Sequence, residues 1–152
     1  MKKLLLILLL LPFIVDTAGA QTRQKGKIEA EKIAFFTRRM DLTADEAKEF
    51  WPVYNDYLSR RNKLRSDRTS LLKYINQNYK NLEEEELDES GDKIVDYMIE
   101  EAKLTKEYHE KFKNILPPYK VIRIYQVETQ FNSLLLEQLR NRRSRQESVR
   151  RR

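Results

Sequence analysis

The chain has 152 residues, 36% of them charged, with no cysteine and a formal net charge of +6. The lack of cysteine excludes disulfide bonds, thiolate metal sites and cysteine catalysis. Only three glycines and four prolines are present, too few for the tight turns of a sheet protein, so we expect an all-α fold.

Residues 1–20 have the pattern of a secretory signal peptide. Lys2 and Lys3 precede an apolar run from Leu4 to Val15, and Ala18-Gly19-Ala20 supplies a small-residue cleavage site. The run is shorter than the roughly 20 residues that a transmembrane helix needs. We therefore expect export to the periplasm and cleavage after Ala20.

Four segments with helical apolar spacing follow. Residues 26–40 predict a short first helix, and Leu42-Thr43-Ala44-Asp45-Glu46 opens a second helix that continues to about residue 79. Thr43 and Glu46 have the spacing of a capping box, in which each side chain accepts a hydrogen bond from the other residue's backbone N–H. Residues 81–92 supply a turn and the acidic start of a third helix. Leu116-Pro117 ends it, and residues 118–142 predict a fourth.

The second and third helices carry apolar residues at alternating steps of three and four, which predicts a long antiparallel hairpin at the centre of a domain over residues 21–139. Pairing Ile75 with Ile94 fixes the expected register. It sets Arg68 opposite Glu101, Arg61 opposite Tyr108, and Tyr57 opposite Phe112. The apolar stripe is wider than a two-helix seam, and the end near Leu72, Tyr74 and Tyr79 has no cover from its own chain, so we expect a homodimer.

The middle of the second helix carries five basic residues, here called the basic belt. Three of them occupy positions where a seam is normally apolar. The members are Arg60, Arg61, Lys63, Arg65 and Arg68. Together with Tyr57 they are the candidate client-binding or partner-binding residues, because long cationic side chains and aromatic faces bind many unfolded chains weakly. We expect the belt to lie on a face that the dimer leaves open.

The net charge has a local origin at the C-terminal end. Residues 140–152 carry seven Arg and one Glu, whereas residues 21–139 carry 21 basic and 22 acidic side chains. A nearly neutral body gives no reason to expect nucleic-acid binding. We expect residues 140–152 to form a disordered Arg-rich tail, with contact to an anionic envelope surface as the functional alternative.

Catalytic chemistry is not indicated by the sequence. It has no Gly-rich phosphate loop, no nucleophile elbow and a single histidine, His109. No second His or Cys is present to complete a transition-metal site, and the acidic run from Glu83 to Asp92 lacks the spacing of an EF-hand loop. We expect no enzyme activity, no catalytic residue, no cofactor and no metal site.

The segment Leu42-Thr43-Ala44-Asp45-Glu46, in an exported, cysteine-free, four-helix chain, resembles the LTxxQ-motif family of periplasmic stress proteins and chaperones (Spy/CpxP-like). Glu46 stands at the Gln position of the motif. A second copy at residues 116–120 agrees at Leu116 and at the proline in third place, Pro118. Over about residues 28–139, the resemblance implies a curved antiparallel dimer of helical hairpins that holds unfolded clients on a basic, apolar-patched concave face.

Three functional hypotheses follow from these patterns. The leading one is a non-enzymatic periplasmic binding protein that holds unfolded or stressed envelope proteins. The alternative is a regulatory module that binds the periplasmic part of an envelope-stress sensor or of a sigma-factor control protein. A third is a structural protein attached to an anionic envelope surface through residues 140–152. The sequence does not separate the first two, and it names neither the client nor the inducing stress.

Overall fold

A computed structural model describes the backbone of residues 17–150, with side chains described for residues 26–148 and for Arg150. It contains four helices, α1 (Thr17–Met40), α2 (Ala44–Asn78), α3 (Glu84–Ile115) and α4 (Pro118–Arg150). No strand occurs in the described part of the chain, and the prediction of an all-α, four-helix fold is confirmed. Residues 1–16 of the predicted signal peptide lie outside the described residues. From residue 17 onward, none of the helices has the length and apolar character required to cross a membrane.

The chain divides into two compact units after Ala34. The described part of the first unit is a helical segment, Thr17–Ala34, which begins earlier than the predicted start at residue 26. The second unit begins at Phe35 and contains the end of α1 and the three other helices. All the candidate binding residues and the capping motif belong to this second unit.

The connection from α1 to α2 is fixed by two local motifs. Asp41 has a φ of 53°, in the left-handed region, and the Leu42 N–H donates to the Thr37 carbonyl at 3.1 Å, which closes the end of α1. The Thr43 N–H donates to Glu46 Oε2 at 2.8 Å, and the Glu46 N–H donates to Thr43 Oγ1 at 3.2 Å. The predicted capping box is therefore confirmed.

An aromatic core fills the end of the α2–α3 hairpin near Trp51, here called the base. Tyr57 lies 5.2 Å from Tyr108 and 6.1 Å from Phe112, measured between ring centroids. The end of α1 and the first part of α4 close this core. Its buried apolar members are Phe36, Met40, Phe50, Tyr54, Tyr57, Leu104, Tyr108, Phe112, Leu116, Val121, Ile124, Val127 and Phe131.

The predicted hairpin register is confirmed only in part. Arg68 approaches Glu101, with 3.6 Å between Nη1 and Oε2, but Arg65 lies closer, at 2.5 Å. Tyr57 contacts Phe112 as expected, with ring centroids 6.1 Å apart, but the Tyr108 ring lies closer, at 5.2 Å. The placement of Arg61 opposite Tyr108 is wrong, because Arg60 donates to the Tyr108 hydroxyl at 3.2 Å instead. Successive residues on a helix point about 100° apart, so Arg60 faces α3 while Arg61 turns toward α4.

The half of the hairpin beyond Arg61 contains no fully buried side chain between that residue and Leu104. Ile75 and Ile94 are half-buried in the seam, but large apolar side chains beside the seam are exposed. They include Leu72, Tyr74, Tyr79, Val95, Met98 and Ile99. The expectation of an uncovered apolar end therefore agrees with the exposure of these residues in the single chain.

Helix α4 begins at Pro118. The backbone N–H that proline lacks would have no acceptor within the helix at this first position, so its absence costs no hydrogen bond. It continues to Arg150 rather than ending near residue 142, so the prediction of a disordered tail from residue 140 is corrected over residues 140–150. The physical reason is composition, because no glycine or proline follows Pro118 and residues 140–150 include five Arg, one Gln and one Glu, which favour helix.

Candidate binding surface

The five residues of the basic belt do not share one surface. Arg60 and Lys63 are exposed on one side of the hairpin, Arg65 and Arg68 lie on the side that also faces α4, and Arg61 is buried. At about 100° per residue, the positions 60, 61, 63, 65 and 68 spread over more than half the circumference of the helix. The expectation that the whole belt forms a single open cationic face is therefore wrong.

Arg61 is held in a buried ion pair with Glu128 of α4. Its Nη1 donates to Glu128 Oε2 at 3.2 Å, and its Nη2 contacts Glu128 Oε1. Nη1 also donates to the Tyr57 hydroxyl at 3.2 Å, and the guanidinium carbon lies 4.8 Å from the centre of the Tyr57 ring. Burial lowers the pKa of Arg61, but the hydrogen bonds and charge of Glu128 outweigh burial and leave that pKa raised.

Tyr57 is 3% exposed and Arg61 is 9% exposed. The Tyr57 hydroxyl is also hydrogen-bonded to Thr105 Oγ1, at 3.0 Å. Neither side chain is available to a ligand at the surface of the folded chain, and their assignment as client-binding residues is corrected. The signal that would have found the buried pair is Glu128 itself, an acidic residue within the apolar stripe of the fourth helix.

Arg65 and Arg68 share the carboxylate of Glu101. Arg65 Nε donates to Glu101 Oε1 at 2.6 Å, and Arg68 Nη1 lies 3.6 Å from Oε2. Beside this pair is a shallow hollow of about 370 Å³, lined by Arg68, Met98, Glu101, Ala102 and Thr105. Two cations on one carboxylate leave an excess positive charge next to exposed apolar side chains.

The same side of the hairpin continues beyond the arginines as an apolar surface, here called the distal face. Leu72 is seven residues beyond Arg65 on α2, and Val95 and Met98 precede Ala102 by seven and four residues on α3, so each set shares one side of its helix. At the base this side is covered by α4, which contacts Arg61 through Glu128 and His109 through Tyr125. The distal face consists of Arg65, Arg68, Leu72, Val95, Met98 and Ala102.

A groove of about 290 Å³ runs along the opposite side of the hairpin and is here called the basic groove. Its floor is Leu64 and Leu104, and both signs of charge line its walls. The lining is completed by Arg60, Lys63, Glu100, Lys103 and Glu107. Lys103 pairs with Glu100 at 2.8 Å and Arg60 with Glu107 at 3.5 Å, so the groove presents both cations and carboxylates above an apolar floor.

The capping motif has a second role that sequence reasoning missed. The ammonium of Lys120 is buried and donates to Glu46 Oε2 at 2.7 Å and to the Asp41 carbonyl at 2.5 Å. Hydrogen bonds from Lys120 and from Thr43 lower the pKa of the Glu46 carboxyl, and the bond to Glu46 raises the pKa of Lys120. The last positions of the two motif-like segments, 42–46 and 116–120, thus form an ion pair that joins α2 to α4.

His109 is half-buried at the edge of the α3–α4 contact. Its Nδ1 lies 2.8 Å from the Tyr125 hydroxyl, and the two rings stack with centroids 6.0 Å apart. Among the side chains that the structure describes, no group of three or more His, Cys, Asp or Glu is arranged to hold a metal ion.

Comparisons of the chain with protein-family models, with curated proteins and with solved structures give no match. The resemblance to the LTxxQ family therefore rests on the residues of segments 42–46 and 116–120 and on the order of the helices. The basic groove and the distal face are the surfaces of the hairpin that combine cations with apolar side chains.

Proposed function

We propose that the chain is a non-enzymatic periplasmic binding protein of the LTxxQ, Spy/CpxP-like type, which holds unfolded or stressed envelope proteins and acts as a homodimer. The observation that carries the proposal is a long hairpin with exposed apolar side chains beside exposed cations, which the described part of its own chain leaves uncovered. Such surfaces favour protein partners, because apolar area and charge contribute to binding without a single fixed geometry.

The distal face is the surface proposed for dimerisation. Leu72 and Met98 are 47% and 55% exposed. Burying them against a second copy would stabilise the dimer by about 25 cal/mol for each Å² of apolar area removed from water. Glu101 neutralises part of the charge of Arg65 and Arg68, which reduces repulsion between two copies. Sedimentation at micromolar concentration should give the mass of a dimer.

A matched pair of variants tests this assignment of the dimer interface. Leu72→Ser with Met98→Ser should yield monomers. Leu136→Ser with Leu139→Ser removes leucines that are 64% and 48% exposed on α4 and should leave the dimer intact. A monomer in the unmodified chain, or equal behaviour of the two variants, would remove the proposed interface.

The basic groove is the surface proposed for clients, because it stays open when the distal face is covered. An extended peptide can place apolar side chains against Leu64 and Leu104 while its charged groups meet Arg60, Lys63 or Lys103. The affinity of each contact is low, and this suits a protein that must release many different chains.

Suppression of aggregation of several unrelated clients is the test of the client proposal. The chain from Gln21 retains the whole second unit and should protect them all. Lys63→Glu with Lys103→Glu should weaken protection in a salt-dependent way, whereas the same charge change at the exposed residues Lys48 and Lys106 should not. Equal protection by both variants would show that the groove is a solvated surface.

The alternative, a regulatory module that binds one envelope-stress sensor or sigma-factor control protein, is favoured by one feature of the groove. Its cations and carboxylates alternate through the pairs Lys103–Glu100 and Arg60–Glu107, a charge pattern that a single complementary partner can match. Failure to protect unrelated clients, together with tight binding of one envelope protein, would support this alternative and exclude the general chaperone.

A further inference from the structure

The last part of α4 is a helix that projects without a packing partner. Every residue from Leu139 to Ser148 is exposed, although the helix continues to Arg150. Residues 140–152 carry seven Arg and one Glu. The backbone hydrogen bonds of an isolated helix stabilise it only marginally in water. A highly charged helix end that packs against no part of its own chain therefore points to a binding surface outside the chain.

One side of this helix combines leucine with arginine. Steps of three and four residues place Leu136, Leu139, Arg140 and Arg143 on the same side, with the two leucines 64% and 48% exposed. Arg142 and Arg145 point to other sides of the helix. The contact of Arg143 with Glu147 is 4.0 Å long, and the two side chains are 86% and 64% exposed, so the guanidinium is accessible to an anion.

We propose that this side of α4, the leucine–arginine face, binds a membrane surface rich in anionic phospholipids, with the helix lying in the plane of the headgroups. Guanidinium groups bind phosphate oxygens in a bidentate fashion. The leucines enter the boundary between headgroups and acyl chains, and the arginine stems extend along the helix so that their charged ends stay in water.

The exposed leucines decide between a membrane and a soluble polyanion. Nucleic acid would use the arginines but would give Leu136 and Leu139 no apolar environment. A headgroup layer uses both residue types. This surface is separate from the basic groove and from the distal face, so the inference goes beyond the proposed function. It places the protein at an anionic membrane, with the base and the hairpin next to that membrane.

The test is co-sedimentation of the chain from Gln21 with vesicles of phosphatidylcholine alone or of an equal mixture of phosphatidylcholine and phosphatidylglycerol. The chain should bind the mixed vesicles and not the neutral ones, with an affinity that falls as salt is added. Equal binding to both kinds of vesicle, or binding to neither, would overturn the proposal.

Two pairs of variants carry the same charge change on different sides of the helix. Arg140→Gln with Arg143→Gln should weaken binding on the order of 25-fold, since each cation at an anionic surface strengthens binding roughly fivefold. Arg142→Gln with Arg145→Gln should weaken it several-fold less, because those side chains do not face the surface. Equal losses would show that no oriented face exists and would contradict the proposal.

Leu136→Ser with Leu139→Ser isolates the apolar contribution. This variant should retain helicity by circular dichroism, because both side chains are exposed, and should lose most of the vesicle binding that persists at high salt. Binding that follows the arginines and ignores the leucines would identify a soluble polyanion as the ligand and reject the membrane. Client protection is measured without lipid, so failure here leaves the proposed chaperone function independently testable.

Discussion

The buried ion pair between Arg61 and Glu128 allows a quantitative test of how α4 is held on the hairpin. Their side chains are 11% and 15% exposed, so water screens the pair weakly. Removing one partner leaves the other charge buried and unpaired, and this typically costs about 3–5 kcal/mol of the free energy of unfolding. Glu128→Leu should therefore destabilise the second unit by an amount in this range.

The size of this effect makes it easy to measure by urea denaturation at neutral pH. With an m value of about 2 kcal/mol/M, a loss of about 3–5 kcal/mol lowers the urea midpoint by about 1.5–2.5 M. Arg61→Met should have a similar effect, because it leaves the Glu128 carboxylate without its charged partner. Lys63→Met breaks an exposed pair with Asp67 and serves as the control, and it should change the midpoint far less.

The double variant Arg61→Met with Glu128→Leu decides whether the pair is the cause. It buries apolar groups of similar size and leaves the Tyr57 hydroxyl hydrogen-bonded to Thr105. Its stability should return to that of the unmodified chain or exceed it, because replacing both partners removes the cost of burying charge. A double variant whose loss equals the sum of the two single losses would refute the reasoning.

Three further predictions concern other parts of the chain. Lys120 and Thr43 lower the pKa of the Glu46 carboxyl from its ordinary 4.5, so this carboxylate should stabilise the fold above pH 4.5 and lose that effect as the pH falls through its lower, folded-state pKa. The difference in unfolding free energy between the unmodified chain and Glu46→Gln should therefore shrink in acid, and a difference that stays constant would contradict the assignment. In double-mutant cycles, Glu101 should couple to Arg65 by about 0.5–3 kcal/mol and less to Arg68, because the closest N···O distances are 2.5 Å and 3.6 Å; stronger coupling to Arg68 would count against this geometry. Mass spectrometry of the exported protein should find Gln21 as the first residue, and a protein that retains residues 1–20 in the cytoplasm would contradict the predicted signal peptide.

The helices and the capping box were predictable because they depend on local sequence. Thr43 and Glu46 are three residues apart and satisfy each other's backbone groups without help from the rest of the chain. The contact of Tyr57 with Phe112 was predictable as well, because a heptad pattern on two helices restricts their antiparallel register to a few choices.

Which side chains of the basic belt are buried and which are exposed was not predictable from α2 alone. Whether Arg61 faces solvent or a partner depends on where α4 crosses the hairpin, and that crossing is set by long-range contacts of Glu128 and Tyr125. The pairing of Lys120 with Glu46 was missed for the same reason, since the two residues are 74 positions apart. High charge alone does not predict disorder for residues 140–150, because Arg, Gln and Glu also have high helix propensity.

Hydrogen exchange of the chain, alone and with an unfolded client, tests the central claim most directly. Binding in the basic groove should slow amide exchange in the α2 and α3 segments around residues 60–67 and 100–107, and should leave residues 132–148 of α4 unchanged. Slower exchange confined to α4, or no change at a client concentration that prevents aggregation, would contradict the groove as the client site.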